Sequence, residues 1–168
     1  FNCKKIVMLA LSEIPSVSFF AQRALSGAMP LADEAERLQW LEQLQVAPFT
    51  RERMIAALGE KNTSEELLPA LRLLRRDVML TLLARQATGV ADYFEVVRTM
   101  TDLAELAVSR VVKVFSLEMS ARYGIPTSAD GVPQDLLVVG MGKLGGEELN
   151  VSSDIDLIFV FDEQGECR

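Results

Sequence analysis

The sequence predicts an α+β chain, with a mostly helical region over residues 1–125 leading into the opening of a small sheet over residues 126–168. Three observations predict it. Apolar residues recur at helical spacing up to about residue 125. Composition then shifts toward Gly, Pro and Ser. Two short apolar runs, Leu136–Val139 and Asp154–Phe161, flank a glycine-rich loop. The 168 residues are 49 % apolar and 24 % charged, enough for one domain core, or for a small domain plus part of another.

The helical elements follow in order. Ile6, Val7, Leu9 and Leu11 suit a short helix ending before Pro15, and Ser18–Leu25 a second one stopped near Gly27. Ala32–Leu44 sets Ala35, Leu38, Leu41 and Leu44 along one side, until Pro48 breaks it. Thr50 caps a short helix that carries Met54, Ala57 and Leu58 and closes at Gly59. Thr63 and Glu66 have the spacing of a capping box, and Leu67, Leu71, Leu74, Val78 and Leu82 continue one stripe. Pro69 complicates that start and offers an alternative one. Arg72, Arg75, Arg76 and Arg85 crowd this helix. They read as a solvated face, or as contacts to phosphate, a partner or an acidic site. Thr88-Gly89 ends the helix. Asp92, with Glu95 three residues on, caps a long final helix reaching Arg122 before Gly124. Residues 126–133 read as a turn-rich connection.

Composition excludes several chemistries. The chain has no histidine, so zinc sites of the usual kind, Ser-His-acid triads and histidine bases are out. Cys3 and Cys167 lie near opposite ends, without ligand spacing, which suits a reducing, cytoplasmic setting. The net charge of -7 gives no basic groove for nucleic acid. No apolar run approaches the roughly 20 residues needed to span a bilayer. The start, FNCKKIVMLALSEIP, has a short apolar stretch that exits through Glu13 and Pro15. It reads as a buried helix or a fragment end rather than a signal segment. The first residue, Phe1, and the stop just after one strand both suggest a piece of a larger enzyme.

The acidic surplus is concentrated. Residues 140–168 hold seven acidic and two basic side chains. Asp154 and Asp156 are the central pair. In a strand, side chains two apart share a face, so both carboxylates project together. Two such anions repel, and a hard cation such as magnesium removes the repulsion. That arrangement serves nucleotidyl transfer, in which one metal holds the phosphates and a second activates the attacking oxygen. Asp-x-Asp alone is weak; the preceding glycines strengthen it. Gly145 and Gly146 lack side chains and permit close approach of a phosphate. Glu147, Glu148 and Leu149 are expected to form a short helix whose N-terminus faces an anion. Ser152 and Ser153 precede the first aspartate, and either hydroxyl binds phosphate or caps the turn. Lys143 offsets phosphate charge or merely solvates the loop. The segment is no P-loop, since no Gly-Lys-Ser/Thr follows the glycines. It also lacks the long helix and distal acid of a dinucleotide-binding unit.

The segment GMGKLGGEELNVSSDIDLIFVF, residues 140–161, resembles the glutamate-ammonia-ligase adenylyltransferase family, bifunctional enzymes that modify bacterial glutamine synthetase. Residues 71–112, including LRLLRRDVML and TDLAELA, resemble the helical region before the site in that family. The resemblance implies a truncated mixed sheet of the nucleotidyltransferase (polymerase beta-like) fold, here incomplete. The wording NVSSDIDLIF is closer to the N-terminal, adenylyl-removing copy than to the adenylylating one. By this resemblance Gly145 and Gly146 form a phosphate-facing turn, and Asp154 and Asp156 ligate Mg2+ as cofactor, two ions in all. Orthophosphate is then the substrate that releases AMP from a tyrosine as ADP, with ATP as the nucleotide of the opposite reaction. Glutamine synthetase is the implied protein substrate and the PII signal protein the implied regulator. The family draws a third carboxylate from a later strand, and this chain stops first, so the isolated chain is expected to be inactive. Other readings are the adenylylating half, a nucleotidyltransferase with another acceptor, or a helical scaffold with an incidental acidic strand.

Overall fold

The computed structural model describes residues 10–28 and 33–168. A 3-10 turn, Leu11–Glu13, leads into α1 (Ile14–Val17). Pro15 lies in the first turn of α1 instead of ending a helix, because a missing N–H costs nothing there. Ile6, Val7, Leu9 and Cys3 lie outside the described residues. Next come α2 (Phe19–Ala28) and α3 (Glu34–Gln45). Helix α3 starts on a reciprocal cap that sequence reading passed over. The Asp33 carboxylate accepts from the Glu36 N–H at 2.9 Å, and Glu36 accepts from the Asp33 N–H at 3.0 Å.

The expected caps at Thr50, Thr63 and Asp92 are all present. Thr50 opens α4 (Arg51–Leu58), which Gly59 closes with a φ of 61°. Thr63 opens α5 (Ser64–Ala87), and Pro69 lies within that helix without marking its start. Asp92 accepts from the Glu95 N–H at 2.8 Å and opens α6 (Tyr93–Tyr123), which ends at Gly124.

Helix α5 is shared by two hydrophobic clusters. On one side Leu67, Leu74, Val78 and Leu82 pack with Met54 and Leu58 of α4 and Val96, Met100, Leu103 and Leu106 of α6. On the other side Leu80 and Ala84 pack with Ile14, Leu25, Leu41 and Leu44. The predicted stripe is therefore one of two buried faces.

Polar anchors fix the layers. Arg85 is 5 % exposed, and its guanidinium donates to Glu95 at 2.6 and 2.9 Å and to the Gln45 carbonyl at 2.5 Å. One side chain thus ties the ends of α3 and α5 to the start of α6. Its pKa is raised further above the arginine range, chiefly by the Glu95 hydrogen bond and against the effect of burial. Glu118 of α6 accepts from the Ser64 N–H at 2.6 Å, at the positive end of α5. Arg76 pairs with Asp77, whereas Arg72 and Arg75 are exposed. So the crowded arginines include one structural lock, and among the described residues Arg72 and Arg75 have no acidic partner.

After Gly124 the chain forms β1 (Pro126–Ser128), β2 (Leu137–Met141), the one-turn helix α7 (Gly142–Gly145), β3 (Asp156–Val160) and β4 (Gly165–Cys167). The strands form two small, open two-stranded sheets. β2 pairs with β3 and β1 with β4, both antiparallel. The β1–β4 pair falls where sequence reading expected only turns. Among the described residues no helix is long and apolar enough to cross a membrane.

The core runs on past residue 125. Leu144 of α7 and Leu149 of the following loop belong to the α4–α5–α6 cluster, and Leu157 of β3 packs against it.

Arg85→Ala is expected to lower stability by about 3–5 kcal/mol, because it leaves the Glu95 carboxylate unpaired and partly buried. Arg85→Lys, which cannot reproduce the fork, should recover only part of that loss. Denaturant titration measures both.

Candidate functional site

The β2–β3 hairpin sets the frame. Its register pairs Met141 with Asp156, Gly140 with Leu157 and Val139 with Ile158. Residues directly opposite share a face. One face carries Leu137, Val139, Met141, Asp156, Ile158 and Val160. The other carries Val138, Gly140, Leu157 and Phe159 and looks toward α6. Between that inner face and the C-terminal half of α6 lies an open apolar cavity of about 1400 Å3, whose lining includes Phe115, Met119 and Phe159. Neither Asp154 nor Asp156 lines it. The carboxylate of Asp156 belongs to the opposite face.

Strand β3 begins at Asp156, so Asp154 stands in the irregular residues before it. Strand alternation therefore does not set the pair on one face. The ladder ends at Met141–Asp156 because the next residue of β2's chain, Gly142, has a φ of 55° and turns into α7. A β-carbon on Gly142 would stand 3.5 Å from Asp156 Oδ2. Asp154 and Asp156 are both exposed, and neither carboxylate makes a hydrogen bond or ion pair among the described residues. No group of three His, Cys, Asp or Glu side chains suited to a metal exists among the described residues.

The glycine turn differs from the expected one. Helix α7 precedes the Gly145–Gly146 pair, and Glu147–Leu149 is not helical. The pair ends a helix. The Glu148 N–H donates to the Lys143 carbonyl at 2.8 Å, and the Glu147 N–H to the Leu144 carbonyl at 3.2 Å. This is a Schellman closure, with Glu147 in the left-handed position at φ 56°. The expected N-terminus aimed at an anion is thus replaced by a helix C-terminus. The physical reason is Leu144, which is 8 % exposed and folds the GKLG turn back onto β2 and the helical core. The two glycines have different duties. A β-carbon on Gly145 would meet the Gly140 carbonyl oxygen at 2.5 Å, whereas one on Gly146 would find its nearest neighbour at 3.4 Å.

Lys143, Ser152 and Ser153 come together in the next turn. Lys143 Nζ lies 3.3 Å from Ser153 Oγ. Asn150 organises the serines: its Oδ1 accepts from both the N–H and the hydroxyl of Ser152 at 3.0 Å, and its own N–H reaches Ser153 Oγ at 3.3 Å. Asn150 was not singled out from the sequence. Its signal was available, since Asn two residues before Ser is the spacing of an Asx turn.

A family model described as glutamate-ammonia ligase adenylyltransferase matches residues 8–168. This chain belongs to the glutamate-ammonia ligase adenylyltransferase family. Similar proteins include the bifunctional glutamine synthetase adenylyltransferase/adenylyl-removing enzymes of three bacteria. That of Aromatoleum aromaticum is 46 % identical over 158 residues, which are 94 % of this chain and 16 % of the relative. That of Ralstonia nicotianae is 44 % identical over 79 % of this chain and 15 % of the relative. That of Nitrosomonas eutropha is 40 % identical over 93 % of this chain and 17 % of the relative. The chain spans about a sixth of the length of these relatives.

Three substitutions separate packing from surface in this turn. Gly145→Ala should cost about 1–3 kcal/mol, since it drives a β-carbon into a backbone carbonyl. Gly146→Ala should stay within about 0.5 kcal/mol. Glu147→Gly should stabilise by up to about 1 kcal/mol by relieving the left-handed backbone. Urea midpoints of the three variants check the order.

Proposed function

We propose that this chain contributes the first part of the site by which an adenylyl-removing enzyme releases AMP from a tyrosine of glutamine synthetase by phosphorolysis. The observation that carries the reading is the segment 140–161. It supplies two exposed carboxylates without protein partners, beside a lysine and a seryl turn, in a chain 46 % identical to a bifunctional adenylyltransferase/adenylyl-removing enzyme. The wording NVSSDIDLIF favours the removing half.

The donor set suits magnesium. Asp154 and Asp156 offer hard oxygen ligands, free of lysine or arginine partners. Magnesium, when bound, would neutralise charge on the phosphoryl oxygens and on the departing tyrosine. Two ions are proposed, with the further carboxylate they need supplied from outside these residues. The chain's own groups do the rest. Asp154 and Asp156 would hold the cations at the start of β3. Lys143 and one seryl hydroxyl of the Ser152–Ser153 turn hold phosphate oxygens. An orthophosphate oxygen attacks the phosphorus of the AMP–tyrosine linkage. A new phosphorus–oxygen bond forms as the bond to the tyrosine oxygen breaks. ADP leaves, and the tyrosine regains a proton.

Glutamine synthetase is accordingly the protein substrate, and the PII signal protein the regulator of the full-length enzyme. The setting is cytoplasmic, where ATP, ADP and orthophosphate are available.

The test mixes the full-length protein with adenylylated glutamine synthetase, magnesium and orthophosphate, and follows ADP. ADP release should depend on magnesium and fall by at least about 10²–10³-fold in Asp154→Ala and Asp156→Ala. AMP incorporation from ATP that is lost in the same variants, without ADP release, would instead assign these residues to the adenylylating half. The 168-residue chain alone should give no measurable ADP, because two carboxylates cannot complete the site; release at the full-length rate would refute that.

A further inference from the structure

The two serines before Asp154 look equivalent in sequence but differ in hydrogen bonding. A seryl hydroxyl has one proton to donate and two lone pairs to accept with. Ser153 Oγ faces two groups that only donate, the ammonium of Lys143 and the backbone N–H of Asn150, each at 3.3 Å. Both of its lone pairs are engaged, and its proton meets no acceptor among the described residues. Ser152 is the reverse. Its hydroxyl lies 3.0 Å from Asn150 Oδ1, an atom that only accepts, so its proton is spent and it shows lone pairs outward. A phosphate oxygen accepts hydrogen bonds and cannot donate them once ionised. It therefore matches Ser153 and clashes electrostatically with Ser152.

Asn150 sets this asymmetry from both ends. Its side chain takes the Ser152 proton, and its backbone N–H fills a Ser153 lone pair. Its carbonyl also accepts from the Ser153 N–H at 3.1 Å. It is held in place by its neighbour Leu149, which is 2 % exposed in the helical core.

We infer that Asn150 is a positioning residue that makes Ser153, and not Ser152, the hydroxyl donor to a nucleotide phosphate beside Lys143. The inference rests on the reading of this hairpin as a nucleotidyl-transfer site. It adds which atom meets the phosphate and which residue aims it.

The probe is ADP with magnesium, titrated calorimetrically into the full-length protein. Binding needs no turnover, so it is independent of which half-reaction the protein performs. Ser153→Ala should weaken binding about tenfold, the loss of one charge-assisted hydrogen bond. Ser152→Ala should stay within about twofold of wild type. Asn150→Ala should weaken binding at least as much as Ser153→Ala. Asn150→Asp, which keeps an acceptor oxygen at Oδ and the backbone N–H, should bind more tightly than Asn150→Ala. A purely structural role would show the asparagine variants losing melting temperature together with binding; the inference expects the serine pair to differ at equal melting temperature. Equal losses in the two serine variants, wild-type affinity in Ser153→Ala, or no binding by the wild-type protein would each overturn it. If the predicted order of affinities holds while no ADP is released from adenylylated glutamine synthetase, the adenylyl-removing reading fails and this inference stands.

Discussion

Leu144 and Leu149 hold the site to the helices. The residues between Met141 and Asp156 include three glycines and two serines with little side-chain area to bury, and polar loops of that kind do not order themselves. Two leucines, 8 % and 2 % exposed, carry them into the cluster built by α4, α5 and α6. The hydrophobic effect on each is about 1.5–3 kcal/mol. That is enough to fix the one-turn helix α7, although its GKLG sequence has poor helix propensity. Everything polar in the site hangs from these points. Lys143 adjoins Leu144, Asn150 adjoins Leu149, and Asp156 sits across the ladder from the strand that leads into α7.

The helical body is in turn fixed by α5, which buries both faces. A helix apolar on two sides has no free rotation about its own axis, so α3 and α6 find defined seats. Arg85 pins the same junction by polar means, joining α5 to α6 and to the end of α3. A long α6 then carries Leu106 and Val114 to the neighbourhood of Leu144 and Leu149. The helices upstream of the site are thus part of its support.

Much of this was legible in the sequence, for local reasons. The caps at Thr50, Thr63 and Asp92 and the stops at Gly59, Gly89 and Gly124 depend on one side chain or one backbone angle, and these are written at single positions. The stripe Leu67–Leu82 follows from helical periodicity. What sequence reading missed depends on distant residues. β1 pairs with β4 across the whole hairpin, so nothing near Pro126 announces it. Helix α7 forms before the glycine pair because Leu144 finds a core contributed by α5 and α6. Asp154 falls outside β3 because Gly142, on the other strand, leaves the ladder one pair earlier. In the candidate site, Asp154, Asp156, Lys143 and the serines stand out in the sequence by residue type. Asn150 was not, since its role lies in where its hydrogen bonds go.

The helical core orders the polar turn, and amide hydrogen exchange in Leu149→Ala reads that dependence directly. The N–H groups of Asn150 and Ser153 are hydrogen-bonded within the turn. Both should exchange much faster in the variant, while amides of α2 and α3, which pack in the other cluster, keep their protection. Unchanged protection at Asn150 and Ser153 in a folded variant would contradict it, and would mean that the turn holds its shape without the core beneath it.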